Sequence, residues 1–466
     1  MHKILLYISL MVSLQMYAQQ DITGQWNGIL NIQGMQLRLV FHIKKDDEKL
    51  TATMDSPDQG AKGIPVSDVT FENKTLKLEV TSAGISYEGT MGENNVVKGT
   101  FKQSVYSFPL ELTKEKLEKK IITKPQDPTK PYPYRMEDVI FENKNAGINL
   151  AGTLTLPQQE GIYPAVILIS GSGPQNRDSE LLGHRPFLVI SDFLTKNGIA
   201  VLRFDDRGTG ASTGNFQSAT SIDFAQDVEA GLAYLRSRKE IDSRKIGLIG
   251  HSEGGLIAPI VASRSKDVAF IVLLAGPGLP GDQILLLQQE LISKASGISK
   301  SDIDKSQKDN KKAFALISKA TNETQLKTDL THHIIQILDN NPNPQIPAGI
   351  TKEEFVSSQV KQLTSPWMRF FITYDPRPTL RKVKCPVLAI NGEKDLQVPP
   401  KENLSAIRSA LKKSKNKSVV IRELSGLNHL FQECTTGAPS EYAVIEQTFS
   451  PKALEEIWQW LFGWVK

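Results

Sequence analysis

Gly250-His251-Ser252-Glu253-Gly254 sets a serine between two glycines, directly after the apolar run Ile246–Ile249 and directly before a helix-compatible run, Gly255–Ala262. Strand, sharp turn and helix in that order can hold a hydroxyl exposed at a helix N-terminus, where the dipole and free N–H groups favour a developing negative charge. The chemistry this suggests is attack on a carbonyl carbon. A serine hydroxyl is a weak nucleophile until a base takes its proton, so a histidine must come from elsewhere in the chain.

Seven histidines are available. His2 lies in the first apolar segment, His42 in a β-patterned region, and His332 and His333 in a polar helical stretch. His251 is expected to point away from its neighbour. Of the remaining pair, His184 and His429, the second is chosen. It follows the strand-like run Val419–Leu424, at a strand's C-terminal end where catalytic groups of parallel sheets gather. The acid that orients the imidazole is expected between serine and histidine. Asp395 in Asn391–Pro400 is preferred to Glu393, with Gly392 permitting the turn that aims the carboxylate back. The donors for an oxyanion are expected from the backbone N–H of Glu253 and from the loop Ser170-Gly171-Ser172-Gly173-Pro174-Gln175. There Ser172 is the first choice, and Gly171 and Gly173 let the main chain approach a substrate. The loop lacks the Lys-Ser/Thr ending of a phosphate cradle. A second Gly-x-Ser-x-Gly match, around Ser212, follows Asp205-Asp-Arg-Gly208 rather than a strand and reads as a surface loop.

These residues need a scaffold, and the pattern supplies one. After about residue 134, apolar strand-like runs (Val166–Ile169, Ile199–Phe204, Ile246–Ile249, Phe270–Leu274, Pro386–Ile390) alternate with helical segments such as Ile222–Arg236. Buried strands alternating with helices predict an α/β fold, a mostly parallel sheet covered on both faces. A polar, helix-prone insertion at about 280–365 predicts a cap over the sheet's upper edge, and Pro451–Val465 a packed amphipathic helix whose tryptophans are packing residues. Upstream, period-two runs within 19–114 predict a small antiparallel barrel or sandwich in which Trp26 is core rather than the wall of a ligand cavity. Residues 115–133, with Pro125, Pro128, Pro131 and Pro133, read as a linker.

Composition narrows the class. The 466 residues carry 55 basic and 51 acidic side chains, a formal charge of +4, which makes no electrostatic case for nucleic acid. A charged start, a short apolar stretch and Ala18 predict a signal peptide over 1–18 and export to a periplasmic or extracellular space, with no integral membrane span. Of the two cysteines, Cys385 is expected to open a core strand at the bottom of the sheet and Cys434 to follow the His429 loop at its top, levels a strand's length of about 20 Å apart, so both are expected as free thiols.

From about Tyr134 to Lys466 the chain resembles bacterial α/β-hydrolases of the esterase and prolyl-oligopeptidase-like group. Four blocks carry the resemblance: Ser170–Asp178, Arg203–Ser212, Gly250–Gly254 and Gly392–Asp395. It implies a triad falling on Ser252, Asp395 and His429 and an insertion that lids the pocket. The family's more usual His-Gly oxyanion loop is Ser170-Gly171 here. The expected activity is hydrolysis of a small carboxylic ester through an acyl-enzyme, with no cofactor and no metal. An exopeptidase or amidase acting on a short peptide, for which Glu253, Asp178 or Asp205 would hold the substrate amine, is the alternative within hydrolases. An inactive binding protein on the same fold is the alternative from another class.

Overall fold

A computed structural model describes residues 21–32, 35–47, 49–57, 61–103, 106–117, 123–158, 160–341, 344, 346 and 351–465. The expected export segment, 1–18, lies outside the described residues.

Period-two patterning upstream gives two antiparallel sheets. One contains β1 (Gly24–Ile32), β2 (Met35–Asp46), β3 (Lys49–Ser56) and β4 (Ala61–Val66). The other contains β5 (Asp68–Glu72), β6 (Thr75–Val80), β7 (Ile85–Met91), β8 (Val97–Gln103) and β9 (Tyr106–Leu112). Along β7 the residues Ile85, Tyr87, Gly89 and Met91 turn inward and their neighbours outward, as alternation on a half-buried strand requires. The inner faces share one apolar core containing Trp26, Phe41, Tyr87 and Phe101. Asn27 and Thr113 exchange backbone bonds of 2.7 and 2.9 Å, joining one edge of each sheet. Trp26 is wholly buried and its indole N–H donates to the Ile22 carbonyl at 2.7 Å, so it is core, as its setting in a β module predicts.

The second sheet system has eight strands: β10 (Tyr134–Asn143), β11 (Ile148–Pro157), β12 (Tyr163–Ile169), β13 (Ala200–Phe204), β14 (Ile241–His251), β15 (Phe270–Leu274), β16 (Val387–Gly392) and β17 (Val419–Leu424). Their order is β10-β11-β13-β12-β14-β15-β16-β17. The β10–β11 and β11–β13 pairs are antiparallel and the rest parallel. This is the topology of the α/β-hydrolase fold. Helices α1 (Pro186–Lys196), α2 (Ser221–Arg236) and α3 (Gly254–Arg264) cover the faces. They are joined, beyond the cap helices, by α10 (Pro400–Lys413) and α11 (Pro451–Val465). Val228, Ile257 and Ile407 pack on one face, Ile190, Ile457 and Leu461 on the other. That two-sided cover is why β13 and β15 are apolar at nearly every position and buried throughout.

Between β15 and β16 stand α4 (Gly281–Ala295), α5 (Lys300–Lys319), α6 (Glu323–Asp339), α7 (Lys352–Leu363), α8 (Pro366–Thr373) and α9 (Pro376–Leu380). The cap has a core of its own around Phe314, Leu330 and Val356. Ile372 joins that core, so the cap runs through α8, past the boundary expected at 365. On α11 the expectation that the tryptophans pack inward fails for Trp464, which is 41% exposed: it shares the face of Ile457, seven residues earlier, but stands in the last turn of the helix. Both cysteines are free, and burial pushes the Cys385 thiol up to about 12. No helix among the described residues is long and apolar enough to cross a membrane.

The Pro-rich stretch is not a free spacer where it is described. The Gln126 carboxamide accepts from the N–H groups of Thr448 (2.6 Å) and Phe449 (2.9 Å) and donates to the Phe449 carbonyl (2.7 Å). Beside it Asp127 pairs with Arg185 at 2.6 Å.

Candidate active site

The serine is exposed by the backbone, and the glycines around it are dictated by lack of room. Ser252 has φ 53°, in the left-handed region that costs a residue with a Cβ about 1–2 kcal/mol. Its N–H donates to the Leu274 carbonyl at 2.8 Å, which ties the turn to β15. A Cβ on Gly250 would stand 2.0 Å from the Gly254 carbonyl oxygen, and one on Gly254 would stand 2.2 Å from that of Ile169. Any larger residue at either place would unbend the turn.

The histidine and the acid arrive on the loops after β17 and β16. His429 Nδ1 lies 2.8 Å from Asp395 Oδ2, with both side chains buried. The other carboxylate oxygen accepts from the N–H groups of Gln397 (2.8 Å) and Val398 (2.9 Å), so the acid is fixed before it orients anything. With Nδ1 donating to the carboxylate, Nε2 is the nitrogen left to accept a proton. Gly392 serves differently from the turn expected of it. A Cβ there would fall 2.3 Å from the Leu427 carbonyl oxygen, so its lack of side chain lets the two loops touch. Glu393, the rival acid, lies away from the imidazole and braces the same loop by accepting from Ser425 Oγ (2.7 Å) and Gly426 N (2.9 Å).

His251, expected to turn away, is part of the cluster. Its Nε2–H donates to the His429 carbonyl at 2.9 Å, and the two rings stand 4.9 Å apart. Burial, reinforced by His429, pulls its pKa down to about 3, so it stays neutral and acts as a strut. His184, the rival base, has both ring nitrogens engaged, with Thr448 Oγ1 (3.1 Å) and the Tyr442 carbonyl (3.0 Å).

Behind the expected oxyanion loop lies a support the sequence reading missed. Asp206 accepts from Ser170 Oγ (2.7 Å) and Gln175 N (2.9 Å), while its own N–H donates to the Gln175 carbonyl (3.0 Å). Burial pushes its carboxyl up to about 8. Asp205 binds Arg177 through Nε (3.1 Å) and Nη2 (2.9 Å), and Asp178 pairs with Arg203, so neither carboxylate is free for a substrate amine. The loop so held puts Gly171 against the nucleophile, where an added Cβ would be 3.2 Å from Ser252 Cβ. Among the described residues, neither the Ser172 nor the Glu253 N–H donates to a backbone carbonyl. Ser212, read as lying on a surface loop, is buried. Its hydroxyl donates to the Asp205 carbonyl (2.6 Å) and accepts from Ala151 N (2.9 Å), making the turn an internal brace.

Ser252, His251, His429, Glu253 and the loop Gly171–Gln175 all line one cavity of about 430 Å³. Its other walls are largely apolar, with Phe187, Ile284, Trp367, Phe371 and Phe449 prominent. Glu253 is 2% exposed. One of its oxygens accepts from Ser221 Oγ (2.6 Å) and from the Trp367 indole (2.8 Å), the other has no hydrogen-bond partner, and burial raises its pKa. The arrangement can attack a carbonyl, shuttle a proton and stabilise an oxyanion.

The family described as X-Pro dipeptidyl-peptidase (S15 family) matches residues 146–424, a stretch that includes Ser252 and Asp395 and stops short of His429. Esterase EstD of Thermotoga maritima is 25% identical over 336 residues, 70% of either chain. Among solved structures, the Pyrococcus furiosus esterase Pf2001 aligns with 74% of this chain and 99% of its own, at 19% identity and a TM-score of 0.43.

Proposed function

The chain belongs to the S15 family described as X-Pro dipeptidyl-peptidase, and we propose that within it this chain is a serine hydrolase cleaving small carboxylic esters through an acyl-enzyme. One observation carries the reading: a buried 2.8 Å bond from His429 to Asp395, on the same cavity as a serine held at φ 53°. His429 Nε2 takes the Ser252 proton as Oγ attacks the ester carbon. The oxyanion that forms is met by the N–H groups of Glu253 and Ser172. The imidazolium then protonates the departing alcohol. A water, deprotonated by the same nitrogen, attacks the acyl-enzyme and releases the acid, restoring Ser252. Asp395 orients the imidazole and stabilises the imidazolium. The name of the Thermotoga relative supports ester over amide as the bond cut. The family description favours a second reading, an exopeptidase, for which Glu253 is the one carboxyl of the three considered that borders the cavity. Export from the cytoplasm, read from the first 18 residues, is part of the same proposal.

The test is labelling with a fluorophosphonate together with hydrolysis of p-nitrophenyl acetate against aminoacyl and prolyl nitroanilides. Ester turnover and a covalent adduct, both lost in Ser252→Ala, are expected. Strong nitroanilide turnover with negligible ester cleavage would replace the first reading by the second.

A further inference from the structure

Glu253 follows the nucleophile directly, yet its side chain reaches into the cap. The carboxyl joins three elements: the elbow it belongs to, the first residue of α2 through Ser221, and α8 through the Trp367 indole. Trp367 in turn stacks on Phe371 one turn along α8, with ring centroids 5.1 Å apart and planes 14° from parallel. Both rings line the cavity. A flat aromatic wall is therefore hung from the residue next to Ser252, across a sequence separation of 114.

Which half of the ester meets this wall follows from the proton traffic. The leaving alcohol must sit beside His429, since that imidazole protonates it, so the acyl group extends into the rest of the cavity, whose walls include Trp367 and Phe371. Charge narrows the group further. Among the described residues the cavity lining has no lysine or arginine, and its acidic members are Glu180 and Glu253. An anionic acyl group would lose its hydration with no cation among the described lining residues to meet it. Burial raises the Glu253 pKa, and its carboxyl is already bonded to Ser221 and Trp367.

We propose, resting on the serine-esterase reading above, that Trp367 and Phe371, hung from Glu253, form the acyl-binding wall and select uncharged apolar acyl groups longer than acetyl over acetyl and over carboxylate-bearing ones. The specificity residue is Trp367, and Glu253 positions it.

The experiment compares kcat/KM for p-nitrophenyl hexanoate, acetate and hemisuccinate in the full chain. Because all three are read on one preparation, their ratios do not depend on what fraction of a variant is folded. For the wild type, hexanoate should exceed acetate at least tenfold and hemisuccinate at least a hundredfold. Trp367→Ala should bring the hexanoate-to-acetate ratio to within about threefold of unity. Glu253→Leu, which removes the acceptor, should lower it severalfold, and Glu253→Gln, which keeps an acceptor oxygen, should restore it. A wild-type ratio preserved in Trp367→Ala, or hemisuccinate cleaved as well as hexanoate, overturns the proposal. Failure of the underlying reading looks different: a wild-type protein that takes no fluorophosphonate and cleaves no p-nitrophenyl acetate.

Discussion

Both regions of this chain contain residues in the left-handed backbone region, but they place them differently. In the β module the non-glycine cases are Asp47, Asn73, Lys74, Asn94 and Asn95, in the tight connections after β2, β5 and β7. Asn and Asp tolerate that conformation, and hairpin turns require it, so the cost is low and the result architectural. In the hydrolase unit the set includes Ser252, Ala275 and Phe431, residue types that gain nothing there. Ser252 is the elbow, Ala275 immediately follows the strand that ties it, and Phe431 lies two residues past His429. Buried polar atoms follow the same division. Among the described residues, those without a hydrogen-bond partner include Arg203, Thr209, Glu253 and Asn391, and none lies before Asp127. One region has spent its sequence on a satisfied apolar core. The other tolerates strain and unmet hydrogen bonds, and Ser252 and Glu253 bring one of each to the cavity, as expected where structure is held away from its own optimum for chemistry.

The contrast can be broken at either end. The largest effect belongs to the strained serine. Ser252→Ala should lower ester turnover by about 10⁶ and Asp395→Asn by about 10⁴, with thermal midpoints close to the wild type. A Ser252→Ala protein retaining more than a thousandth of the activity would move the chemistry elsewhere. Trp26→Ala should do the reverse: it opens the β core at a cost of about 3–5 kcal/mol, read by denaturant unfolding, while the fluorophosphonate labelling rate of the folded protein holds. A parallel fall in labelling would mean that the two regions share their stability.

An effect with a definite sign is expected of Asp206. Its folded pKa is raised to about 8 from 3.8 by burial first and by the neighbouring carboxyls of Glu253 and Asp227 as well. The unfolded chain therefore loses this proton near pH 4 while the folded chain keeps it, so stability falls between about pH 4 and pH 8 and levels off above. Asp206→Asn should remove that slope. Its melting temperature should gain on the wild type as pH rises from 4 to 8, and an unchanging difference would contradict the assignment. Smallest of all, Asn94→Ala in the β turn should cost about 1 kcal/mol and Asn94→Gly almost nothing.

What could be read from the chain alone was local or ordered. The elbow is five consecutive residues after an apolar run. His429 and Asp395 could be chosen because a parallel sheet delivers its loops to one edge, so chain order and strand ends together name the candidates. The β module's alternation announced antiparallel sheets in the same way. Contacts between remote, individually ordinary residues could not be read. Nothing in Gln126 signals that it will bond to positions 448 and 449, and nothing in Trp367 points to residue 253. Asp206 was visible only as part of a familiar block, because the loop it braces comes 36 residues earlier at Ser170. The cap's end is not marked by residue type, because α8 packs both ways, Phe371 into the core of the sheet and Ile372 into that of the cap.

The carboxamide of Gln126 decides where this protein can be cut. A chain shortened to begin at residue 134 would leave the backbone groups of Thr448 and Phe449 without three hydrogen bonds, beneath a ring that stacks at 5.3 Å on Phe431 of the histidine loop. One beginning at residue 123 would keep them. The junction between accessory and catalytic parts, as far as dissection is concerned, therefore lies upstream of the prolines that seem to mark it.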